Sequence, residues 1–134
     1  MSEILVDNLT GKTAAGSIVV YGEGGTATTN LQQGLMKSWV DFDGDPSITV
    51  NDSFSVSSIS DEGTGNYHQN LSNNLAAVTG AGAGSASSNI NQSDREVSVL
   101  PESTSHLQIN TGQDLSANRY DSNFVGTIFA GDIA

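Results

Sequence analysis

The stretch WVDFDG (39–44), followed by SITVNDSFSVSSIS (47–60), decides the fold. Its apolar residues Ile48, Val50, Phe54, Val56 and, after a shift in phase, Ile59 stand among Ser, Thr, Asn and Asp. Successive side chains of an extended chain point to opposite faces, so this alternation describes strands with one face buried and one wet. A Gly-bearing turn, DEGTG (61–65), and a further alternating run, NYHQNL (66–71), continue the pattern as antiparallel hairpins.

Working outward, LAAVTGAGAGSASSNINQSD (75–94) reads as a strand of small residues followed by a long loop, and REVSVLP (95–101), HLQIN (106–110) and SNFVGTIFAGDIA (122–134) supply closing strands. Some seven or eight short strands with turn chemistry between them describe an all-β fold, an antiparallel β-sandwich or jelly roll. Upstream, NLQQGLMKSWV (30–40) places Leu31, Leu35 and Trp39 at i, i+4 and i+8 behind an Asn30 N-cap, which predicts a short helix with one apolar stripe. Gly34 weakens that helix by about 1 kcal/mol, so its stripe needs cover.

Residues 1–29 alternate short apolar pieces (Ile4, Leu5, Val6, then Ile18, Val19, Val20, Tyr21) with Gly, Thr and Ala, including GEGGTATT (22–29). Strands this short make no core of their own. The segment therefore reads as an extended arm that pairs with a sheet edge elsewhere. The expected organisation is an arm over 1–29, a helix over 30–40 and a β-sandwich over 41–134.

Composition narrows the function. Fifteen Asp and Glu oppose four Lys and Arg, a formal charge of −11, and the four cations (Lys12, Lys37, Arg95, Arg119) are scattered. Such a chain repels phosphates, so neither nucleic acid nor an anionic membrane is an expected partner. No apolar run approaches the roughly 18 residues of a membrane-spanning helix, and MSEILVDNL has no signal-peptide pattern. Without cysteine, a small domain draws its stability from its core, a hard ion or self-association, and the uncovered stripe and arm favour association.

Two constellations invite chemistry. Asp41, Asp43 and Asp45 in DFDGD space three carboxylates as a Ca²⁺ loop would, but the Gly at the sixth position and the Glu at the twelfth are absent. They are the one candidate metal cradle, and a polar turn between strands accounts for them equally well. His68 and His106, the only histidines, stand far apart in the chain; His68 reads as a solvent-side strand residue. No G-x-S-x-G elbow, dinucleotide fingerprint or phosphate-binding loop occurs, so no catalytic residue and no cofactor is expected.

The segments ILVDNLTGKTAAGSIVV (4–20), GLMKSWVDFDG (34–44) and ITVNDSFSVSSISDEGTGNYHQNLSNNL (48–75) together resemble a family of small virion proteins of tailed phages infecting marine and freshwater bacteria. Its members carry an arm of the form ILVD-x-x-TGKT-x-AG, then LQQGLAKAWV-x-F-x-G and a stretch like RDSFNVSSVTDNGTGDYTVNF. The likeness covers most of residues 3–75 and returns at VGTIFAGDIA (125–134). DFDGDP departs from the family's neutral turn, and NDSF lacks the basic residue of RDSF.

The resemblance implies a virion component, labelled in that family as tail-fibre or structural protein, and brings no catalytic residues. Combined with the residue reading, it gives one expectation: a homotrimer on the head or tail surface of a virion. Ile4, Leu5, Val6, Ile18, Val19, Val20 and Tyr21 would grip the major capsid protein or another virion protein, and Leu31, Leu35 and Trp39 would join the copies. A capsid decoration or cement protein is the first reading. The alternative is a short tail-fibre adhesin whose loops, around 80–93 and 103–114, take a host surface glycan. Sugars stack on exposed rings, and Tyr67, Tyr120 and Phe124 lie in or beside strands instead of in those loops.

Overall fold

The computed structural model describes residues 4–13, 17–22, 25–88, 95–114 and 118–134. It divides into two units, Met1–Leu35 and Met36–Ala134.

In the first unit, β1 (Val19–Tyr21) and β2 (Thr28–Asn30) pair antiparallel, Val19 opposite Asn30 and Tyr21 opposite Thr28. Gly25, at φ 79°, takes the left-handed conformation in their connection, and its N–H donates to the Gly22 carbonyl at 3.0 Å. The arm expected over 1–29 is therefore not extended throughout, because its second apolar piece folds back on the chain's own residues. One helical turn, α1 (Leu31–Gly34), follows, with the Leu31 N–H donating to the Ile18 carbonyl at 2.9 Å.

The helix expected over 30–40 is corrected to that single turn. From Ser38 the backbone is strand, so Leu31, Leu35 and Trp39 share no helical stripe. SWVDFD carries period two on top of the i, i+4 spacing, and period two wins. As a strand the segment buries Ser38, Val40 and Phe42 and gains a hydrogen-bonded neighbour on each side. A helix broken by Gly34 has no comparable burial to offer.

The second unit contains, in chain order, β3 (Ser38–Asp43), β4 (Thr49–Phe54), β5 (Val56–Gly63), β6 (Asn66–Leu71), β7 (Ala81–Ser87), β8 (Glu96–Pro101), β9 (His106–Asp114), β10 (Asn118–Arg119) and β11 (Phe124–Ala130). One sheet runs β4-β3-β11-β7; the other places β9 between β8 and β6, with β5 beyond β6 and β10 on the end of β9. Every pairing is antiparallel. The two sheets bury their inner faces against each other, as the alternation predicts. Val40, Phe42, Ala86 and Val125 of the first sheet meet Tyr67 and Ile109 of the second. The Phe42 and Tyr67 rings pack edge to face, 5.1 Å between centroids. Phe129, Leu107, Val99 and Leu75 form a second buried group.

Three local features shape this sandwich. Ser55 sits at φ 59°, between the end of β4 and the start of β5, so the chain leaves one sheet for the other at a single left-handed residue. Within β4 itself the register shift opposite Asp41 and Phe42 changes the facing: Val50 pairs with inward Phe42 at the sheet edge, whereas Phe54 pairs with Trp39 and is exposed. The small residues of β7 answer to β8. A Cβ on Gly82 would stand 2.6 Å from Val99 Cγ1, and one on Gly84 2.7 Å from Val97 Cγ1.

The strand expected over 106–110 is present as β9 and runs on to Asp114, central in its sheet, so of the loop expected around 103–114 only 103–105 lies outside it. In its polar second half, Thr111 is fully buried with its groups satisfied. Its N–H donates to the Gly65 carbonyl at 2.9 Å and its hydroxyl to the Tyr120 carbonyl at 2.6 Å. The loop expected over 80–93 is β7 up to Ser87, and its remainder from 89 lies outside the described residues.

Candidate functional site

Cross-strand partners share a face of a sheet. In the four-stranded sheet the register sets Phe54 opposite Trp39, Trp39 opposite Ile128, and Ile128 opposite Ala83. Their neighbours along β3 and β11 (Val40, Phe42, Val125, Phe129) point into the core, so this row points outward. Phe54 is 54% exposed, Ile128 48% and Met36 46%. Beside them Ala83, Gly84 and Ser85 have too little side chain to fill the surface, which leaves an open groove walled by Met36, Trp39 and Ile128. One row of this outer face is thus apolar across all four strands, while Asp41, which lines the groove, and its cross-strand partner Asp52 carry charge beside it.

The opposite outer face is polar. On β6 and β9, Asn66, His68, Asn70, His106 and Gln108 point away from the core that Tyr67, Gln69, Leu107 and Ile109 enter. The Asn70 amide donates to Ser58 and Ser60 hydroxyls at 3.0 and 2.8 Å.

Of the residues singled out in the sequence for association, Trp39 lies in the apolar row, Leu31 begins α1 and Leu35 is exposed. Ile4, Leu5, Val6, Val19, Val20 and Tyr21 are all exposed; Ile18 is half-buried. Asp41, Asp43 and Asp45 do not converge. The Asp41 carboxylate accepts from the Asn51 amide at 3.3 Å and that of Asp43 from the Asp45 N–H at 2.9 Å, and among the described residues they form no group of three within reach of one ion. Tyr67 is fully buried and offers no stacking face, and Arg95 covers one face of the Tyr120 ring, 4.6 Å from its centroid.

Two parts of the surface escaped sequence reasoning. Phe54 looked like an inward residue of an alternating strand, and only the register shift between β3 and β4 reveals its facing; Ile128 had no assigned face until the β11 register set it beside Trp39. His68 and His106 come together with Glu62 and Glu102, a meeting that depends on the pairing of β6 with β9. Compared with protein-family models, curated proteins and solved structures, the chain matches none.

Proposed function

We propose that the chain is a non-enzymatic structural component of a phage virion: a surface appendage that self-associates through the apolar row on the outer face of its four-stranded sheet and attaches through its N-terminal unit. The observation that carries the reading is the uncovered apolar surface, the row Phe54–Trp39–Ile128 together with Ile4, Leu5 and Val6. Contiguous exposed apolar surface marks an interaction site. A second copy of the chain is the fitting occupant of the row. Copies with a charge of −11 repel one another least over such an uncharged row.

Three copies on the head, as a decoration or cement protein on the major capsid protein, would stabilise it by mass action, because a ligand that binds only the assembled lattice favours assembly. The resemblance of residues 3–75 supports the virion setting. The fibre-tip reading draws support from the exposed Phe54 ring beside Trp39, a surface on which a sugar face could stack.

Light scattering of the full chain against the double variant Trp39→Ser/Ile128→Ser tests the first part: a trimer for the parent and a folded monomer for the variant are expected, and a monomeric parent overturns it. Deleting residues 1–35 should leave a folded protein that no longer binds virions lacking it. Retained binding removes the N-terminal unit from attachment, and binding to host polysaccharide in place of virions would favour the adhesin.

A further inference from the structure

We propose that His68, Glu102 and His106 form a binding site for a divalent transition metal of the zinc class on the polar outer face of the five-stranded sheet. The pairing of β6 with β9 sets His68 opposite Gln108 and Asn70 opposite His106, so the histidines are diagonal neighbours on one face. Their rings stack, 4.3 Å between centroids and 26° between planes. Glu102, in the connection from β8 to β9, brings Oε2 to 2.8 Å from His68 Nε2 and 3.3 Å from His106 Nε2. One donor atom of each residue lies within 4.8 Å of the others. Ligands held tetrahedrally at about 2.0–2.1 Å from zinc stand about 3.3 Å apart, so small side-chain adjustments close this triad on an ion.

The chemistry of the donors points the same way. Two ring nitrogens facing one carboxylate oxygen need either an N–H on each or a single metal ion among the three. The Nδ1 partner of His68 leaves its Nε2 for the ion, whereas that of His106 must rearrange. His68 Nδ1 lies 3.3 Å from Glu62 Oε1, the carboxylate–histidine arrangement that supports metal-bound imidazole. His106 Nδ1 lies 2.8 Å from Ser103 Oγ, whose lone pairs already accept the Ser105 and His106 N–H groups at 3.1 Å, so this hydroxyl donates to Nδ1, and an ion at Nε2 requires it to release one of those backbone groups and take the Nδ1 proton instead. Both histidine side chains are about a quarter exposed, at 23% and 24%, partly desolvated yet open to an entering ion.

Imidazole nitrogen favours zinc or a neighbouring transition metal, whereas Ca²⁺ wants six to eight oxygens. Three protein ligands leave a fourth position for water. An ion here would tie the β8–β9 connection to β6.

The test uses the full chain freed of metal by a chelator and titrated with Zn²⁺ alone. Calorimetry should show one ion per chain, with binding at least tenfold weaker in His68→Gln and in His106→Gln, variants whose folding circular dichroism checks. A ¹⁵N imidazole spectrum of the unaltered protein gives an independent reading, in which the Nε2 signals of both histidines move on zinc addition and both Nδ1 atoms are protonated in the complex. No uptake, uptake with the Nε2 signals unmoved, affinity in the Gln variants unchanged from the parent, or displacement of zinc by equimolar Ca²⁺ would overturn the proposal.

Discussion

The Thr127 hydroxyl donates to Gln69 Oε1 at 2.7 Å across the interior of the sandwich, from β11 in one sheet to β6 in the other. The other end of the same amide donates to Ser38 Oγ on β3 at 3.1 Å, and Gln69 is fully buried. One side chain thus satisfies two polar groups of the facing sheet, and its removal strands both. Gln69→Ala should cost about 2–4 kcal/mol, the sum of lost packing and two unpaired buried hydroxyls. Urea unfolding of Gln69→Ala, Thr127→Val and the double variant measures it. A coupling near zero in that cycle would deny the bond any role.

Tyr67 makes stability depend on alkaline pH. Burial, reinforced by the hydrogen bond to the Asp121 carboxylate at 3.0 Å, pushes its phenol well above the ordinary value near 10. The folded state thus holds this proton more tightly than the unfolded chain. The stabilisation is complete below the ordinary phenol value and is lost progressively as pH rises past it. Chemical unfolding between pH 9 and 12 should show stability falling more steeply in the parent than in Tyr67→Phe, with the variant weaker by about 1 kcal/mol at neutral pH from the lost bond. Parallel profiles would show that another group governs the alkaline limb.

Much of this interior was legible. Val40 with Phe42, Tyr67 with Gln69, and Leu107 with Ile109 each stand two apart, and strand periodicity alone puts each pair on one face. Trp39 was harder, because it belongs to a helical spacing with Leu31 and Leu35 and to a strand spacing with Asp41. The choice depends on which neighbours exist, and β4 and β11 are supplied from elsewhere in the chain. Phe54 was misassigned because the ladder irregularity between Val50 and Asp52 changes the facing without changing the pattern. The meeting of His68 with His106 could not be read at all, since a one-residue slip between β6 and β9 would turn one of them to the other face.

The glycines of β7 answer to packing. Gly82, Gly84 and Ala86 face inward, where a Cβ on Gly82 would lie 2.7 Å from the Val99 carbonyl oxygen, an atom held in place by the β8–β9 ladder. Gly82→Ala should therefore destabilise by about 1–3 kcal/mol, as overpacking does, despite the better strand entropy of alanine. Ala83→Ser, on the outer face of the same strand, should fall within about 0.5 kcal/mol of the parent. Thermal unfolding of the two variants side by side checks the contrast; equal midpoints would mean that β7 and β8 part easily.

Asp41 stands directly opposite Asp52 where β3 pairs with β4, and the ladder slips between Asp41 and Phe42. Like charges opposite one another weaken a strand pair, and Asp41 has only a 3.3 Å contact with the Asn51 amide to offset the repulsion. Asp52→Lys replaces repulsion by attraction at the same register and should stabilise by about 0.5–1 kcal/mol at low salt. Because both groups meet water, the gain should shrink as salt is raised toward 1 M, where the screening length falls to about 3 Å. Urea midpoints at low and high salt measure both effects. A gain that persists unchanged at high salt would assign it to the lysine's packing on the sheet, and no gain at either salt would show that the pair is already too well solvated to matter.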